Sequence, residues 1–179
     1  RPAALSGSAL WAAHNRATSL SPRVINIAWV FSPKPKPIEI LYFTTGSEAA
    51  LMTQPRNLII VGENAHVQIV ERHQSLNSNP VLTNSVTEIF AQKRAIVDYY
   101  KIQNDELEAN LIDNTYVSQK EESHVSVQTF SFGGNLTRNN LNFYHFGEHL
   151  TSTLNGMAFY SHWGIRIWHF LLPWLLHSN

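Results

Sequence analysis

The chain has 179 residues, no cysteine and a formal net charge of zero, with 44% apolar and 15% charged residues. That length fits one domain with a full core. The charge balance supplies no basic field for nucleic acid and no acidic tail, and without cysteine this chain offers no disulfide, thiolate ligand or thiolate nucleophile.

The first 36 residues hold five basic side chains and no acid, and Trp11 and Trp29. The chain starts at Arg1 without methionine, which reads as a fragment, and its first apolar cluster has no continuous signal-peptide core. All thirteen acidic residues fall between Glu39 and Glu148. The last segment, 158–179, has Arg166, no acid, and Trp163, Trp168 and Trp174. Its most apolar run, Ile165 to Leu176, is too short for a membrane span, which needs about 20 residues. Three segments follow: an atypical flank over 1–36, a core over 37–157 and an apolar tail over 158–179. Two readings of the flanks stand side by side. They are a capping segment and a tail, or stretches translated out of frame.

The core reads as strands. "PIEILYF" (37–43), "RNLIIVG" (56–62), "HVQIVE" (66–71), "SVTEIF" (85–90), "AIVDYYKI" (95–102), "HVSVQTFSF" (124–132) and "NLNFYHF" (140–146) have strand length and composition. No stretch keeps a 3.6-residue apolar period for ten residues. "NDELEANLID" (104–113) reads as one turn and a strand start. The class is all-β.

The strands repeat. A polar corner followed by an outgoing strand recurs in 62–73, 91–102, 120–131 and 146–156, anchored at Val67, Ile96, Val125 and Leu150. Units of 20–50 residues that cannot bury their own faces stack into solenoids. The expected architecture is a right-handed parallel β-helix, with a β-sandwich of hairpins as the alternative. Val125 and Val127 share one face of their strand and Phe130 and Phe132 the other, so a bend or bulge is expected near Gln128. Gly133-Gly134 ends that strand with positive φ. Leu141 and Phe143 form the inward face of the next strand.

Chemistry-bearing motifs are sparse. "FGGNLTRNN" lacks the spacing of a phosphate loop or dinucleotide fingerprint. No Gly-x-Ser-x-Gly elbow marks a nucleophile. Glu121 and Glu122 are adjacent and diverge, and Glu106 and Glu108 fall in a loop, so neither pair converges for acid–base work. "NLT" at Asn135–Thr137 matches a glycosylation acceptor by chance. Asn135, Asn139, Asn140 and Asn142 are expected at a coil corner. His66, His124 and His149 precede matching strands. The latter two are expected to stack about 5 Å apart, which makes them weak candidates for a shared metal. A solvated ladder is the plainer account. His73 and His145 are expected at the core edge or surface. No catalytic or cofactor-binding residue is assigned.

Several segments, in order, resemble the SufB/SufD family of the SUF iron–sulfur cluster assembly system. They are "KPIEILYF", "PRNLIIVGENAHVQIVERH", "DNTYVSQKEESHVSVQTFSFGGNLTRNNLNFYHFGEH" and "TLNGM", spanning about 36–157. Both flanks depart from the family pattern. The resemblance implies a β-helix subunit, SufD-like, non-catalytic and cytoplasmic. Its partners would be SufB and the SufC ATPase, with SufB providing the key cysteine and the cluster carried by the complete complex. No firm cofactor is expected on this stretch, nor nucleic acid or membrane. The SufC-binding helical segment has no counterpart here, and a cut solenoid is expected to self-associate end to end. The alternatives are a carbohydrate-active β-helix enzyme and a generic interaction solenoid.

Overall fold

Short strands separated by charged corners close a core only by stacking on neighbouring copies, and this chain does so. A computed structural model describes residues 10–12, 23–27, 36–46, 50–159 and 165–171. Strands β1 (Leu10–Ala12), β2 (Arg23–Ile27), β3 (Ile38–Thr44) and β4 (Leu51–Thr53) precede four coils. The first coil joins β5 (Arg56–Val61) to β6 (His66–Ser75), and the second β7 (Val81–Ala91) to β8 (Ile96–Asp105). The third joins β9 (Ala109–Lys120) to β10 (His124–Gly133), and the fourth β11 (Leu136–Phe146) to β12 (Thr151–Phe159). Strand β13 (Ile165–Leu171) follows. Most of both flanks, and with it the question of their reading frame, lies outside the described residues.

From β5 onward, alternate strands separate into two facing sheets. One runs β1-β3-β6-β8-β10-β12 and the other β2-β5-β7-β9-β11-β13, with β4 also on β7. Every strand pairing among the described residues is parallel. Hairpins would pair antiparallel, so the sandwich is excluded and the β-solenoid stands.

One corner of each coil is a tight turn with a left-handed residue: Asn64, Arg94, Glu122 and His149, at φ 57°, 56°, 58° and 56°. The turns stack through backbone bonds. Asn64 N–H donates to Lys93 O, Arg94 N–H to Glu121 O, and Glu122 N–H to Glu148 O. At the other corner Gly133 is at φ 73°, and a Cβ there would lie 2.2 Å from the Asp105 carbonyl oxygen. Only glycine fits.

The register corrects the expected anchors. Val67, Val97, Val125 and Ser152 are partners, and the spacings are 30, 28 and 27 residues. Ile96 points outward, 39% exposed, and Leu150 precedes β12 at the corner. Aligning the nearest apolar residue misplaced both, because the corners differ in length.

The lumen has two halves. Next to the tight corners it is apolar: Ile59, Val61, Val67, Ile69, Ile89, Val97, Val117, Val125, Val127, Leu141 and Phe143 are buried. Each large aliphatic there is worth about 1.5–3 kcal/mol. Towards the opposite corners the inward positions become polar: Glu71, His73 and Ser75 on β6, Lys101 and Gln103 on β8, Thr129 and Ser131 on β10. This removes the expected bulge near Gln128. Strand β10 pairs without interruption from His124 to Gly133 against β8. Its inward face simply changes from Val125 and Val127 to Thr129 and Ser131, leaving Phe130 and Phe132 outside.

Candidate functional site: a charged ladder inside the coil

The polar half of the lumen holds two linked clusters. In the first, the Glu71 carboxylate accepts from His73 Nε2 at 2.8 Å, from Asn57 Nδ2 at 3.3 Å, and from the Tyr99 hydroxyl. Tyr42 donates to Asn57 Oδ1 at 2.6 Å and stacks on the His73 ring. Asn57 also donates to Thr87 at 3.1 Å. In the second, Lys101 Nζ is paired with Asp113 and donates to Thr115 Oγ1 at 2.8 Å. Ser85 donates to Asp113 Oδ1 at 2.5 Å. Glu71 and Lys101 are register partners on β6 and β8, and this joins the clusters.

Burial opposes ionisation of Glu71. The His73 hydrogen bond and the charge of Lys101 outweigh it and hold the carboxyl at about 2. Burial lowers the Lys101 ammonium, opposed by Glu71. Burial and the Glu71 charge push the Tyr99 phenol well up, so it stays a donor. Glu71, Lys101 and Asp113 are all essentially buried. Each charge is met by another or by hydrogen bonds, so the ladder organises the lumen and presents no group to a substrate.

The histidine candidates separate. Strand β12 sets Thr151 beside His124, and β8 sets Ile96 beside both His124 and His66. His149 occupies the left-handed corner position instead. The expected His124–His149 stack is therefore absent, because an imidazole in the turn is out of step with one that begins a strand. His66 bonds Asp98 at 3.0 Å on the outer face. His73 is inside the lumen, and half-buried His145 bonds Ser152 at 3.0 Å. Among the described residues no group of three or more His, Asp or Glu is placed to hold a metal. Glu121 and Glu122 both lie within salt-bridge distance of Lys93 at the corner. Of the four asparagines expected at a corner, Asn135, Asn139, Asn140 and Asn142, only Asn135 is at one. Asn139 is in the lumen, and Asn140 donates to Asn114 Oδ1 at 2.8 Å in an outer-face ladder.

Sequence reasoning missed Glu71, Lys101 and Asp113. A signal existed: Glu71 continues the phase of Val67 and Ile69, and Lys101 that of Val97 and Tyr99.

The SufBD core domain model of SUF system FeS cluster assembly matches residues 42–164. The chain belongs to the SufBD core family. An iron-sulfur cluster assembly SufBD family protein of Synechocystis is 30% identical over 113 residues, covering 59% of this chain and 25% of that protein. The chloroplastic protein ABCI7 of Arabidopsis thaliana is 31% identical over 111 residues, covering 59% of this chain and 23% of that protein. The chain thus spans about a quarter of the length of the curated relatives it matches. No solved structure matches it. Within the SufBD core, the matched region includes all four coils and the whole charged ladder. No helix among the described residues is long and apolar enough to cross a membrane.

Proposed function

We propose that this chain is the solenoid part of a SufD-like, non-catalytic subunit that supports iron–sulfur cluster assembly beside SufB and the SufC ATPase in the cytoplasm. The observation that carries this is the SufBD core match over residues 42–164. Two features support the non-catalytic side. The stretch offers no thiolate on which a cluster could be built. Its buried charges, Glu71, Lys101 and Asp113, are held in hydrogen bonds and ion pairs inside the coil. A carbohydrate-active β-helix would instead present carboxylates in register on an outer face. Clusters and iron are cargo of the complete complex in this reading.

The test is co-purification of the full-length gene product with SufB and SufC. A stable ternary complex that gains cluster-assembly activity over SufB and SufC alone is the expected result. Binding to neither partner would end the assignment.

A further inference from the structure

Among the described residues, three buried polar groups of the lumen have no hydrogen-bond partner: Thr129 Oγ1, Ser131 Oγ and Asn139 Nδ2. Their residues are 3%, 0% and 2% exposed. All three belong to the strands stacked directly after the ion pair. Thr129 is the register partner of Lys101, and Ser131 that of Gln103, on one sheet. Asn139 is the partner of Asp113 on the facing sheet. Since Lys101 and Asp113 meet across the lumen, Thr129 and Asn139 face one another one strand spacing further along, about 4.8 Å.

The next strand adds room. The inward positions of β12 beside Thr129 and Ser131 are Gly156 and Ala158, where earlier coils carry Lys101 and Gln103. On that sheet the column therefore shrinks to almost nothing just past Thr129 and Ser131, while on the facing sheet the next strand sets Trp168 beside Asn139. Gly156 is itself exposed, so this level of the lumen is close to solvent.

We infer that the lumen where the third coil passes into the fourth holds an internal hydration site, one or two water molecules bound by Thr129, Ser131 and Asn139. The chemistry selects a neutral guest. Two hydroxyls and an amide N–H₂ supply both donors and acceptors, and a buried water takes about three such bonds. No unpaired charge is within the set to balance an anion, since Lys101 is taken by Asp113 and Thr115. A cation would meet the amide N–H₂ and only hydroxyl oxygens. Buried polar groups left bare are costly, and water removes that cost.

A crystal structure of the full chain, at a resolution that shows ordered water, tests this directly. Water within hydrogen-bond distance of at least two of the three side chains is expected. A dry site with those side chains bonded to each other, or density for an ion, overturns it. Denaturation of Thr129→Val gives an independent readout. With water present, removing one ligand raises the unfolding equilibrium constant about tenfold. In a dry site the same change removes an orphaned hydroxyl and leaves stability equal or higher, which also overturns the inference.

Discussion

Glu71→Gln isolates the charge of the ladder with little change of shape. The carboxyl is held at about 2 against an ordinary 4.5. At about 1.4 kcal/mol per unit, ionised Glu71 contributes about 3 kcal/mol to the folded state. The amide loses that and turns an N–H₂ towards His73, Tyr99 or Asn57, all of which donate to the carboxylate. The sign follows from the depressed folded value. The contribution is complete above pH 4.5 and is lost as pH falls towards 2. Urea denaturation of wild type and variant at pH 7 and at steps down to pH 3 is the assay. A gap of about 3 kcal/mol at pH 7 that narrows through the acid range is expected. A gap below about 1 kcal/mol at pH 7, or one that does not change with pH, refutes the role given to Glu71.

Other outcomes follow from the same packing. Lys101→Met strands the Asp113 carboxylate in the lumen and costs about 3–5 kcal/mol by chemical denaturation, much of it recovered when Asp113→Leu is added. Gly133→Ala lowers the melting temperature far more than Gly134→Ala. The first Cβ meets backbone oxygen at 2.2 Å, the second a side-chain nitrogen at 3.0 Å; equal effects would contradict the corner geometry. The double change His124→Ala, His149→Ala leaves the metal content of the purified full-length protein unchanged by elemental analysis, since the two rings are out of register. Sedimentation of the 179-residue chain shows end-to-end association that grows with concentration, whereas a monomer at every concentration would speak against exposed coil edges.

The class, the repeat and the parallel stacking were all legible, because Val, Ile and Phe at strand spacing leave few other ways to build a core. Gly133-Gly134 and the inward Leu141 and Phe143 were legible for the same reason. The lumen's polar half was not. Binary patterning equates buried with apolar, so Phe130 and Phe132 looked like a change of phase when Thr129 and Ser131 are the buried pair. The same assumption hid Glu71 and Lys101, which need partners from other coils before burial is affordable. His149 was misread because left-handed corners at Arg94 and Glu122 carry no glycine to mark them. The corner therefore had to be located by alignment, and the anchors slipped by one or two residues.

The ladder also bears on the fidelity of coil stacking. A one-residue slip between strands turns every side chain over and is heavily penalised. A two-residue slip is more dangerous, because it keeps the same face inward and still sets Val67 on Tyr99 or Ile69 on Val97. Glu71 would not: displaced by two positions along β8, it falls opposite Tyr99 or Gln103 and loses Lys101 as its register partner. Lys101 would likewise drift from Asp113. Buried charge in this solenoid thus acts as a key, cut at one level of the lumen, that lets a coil close in one alignment. Corners can lengthen or shorten without disturbing it, and spacings of 30, 28 and 27 residues between coils are the trace of that freedom.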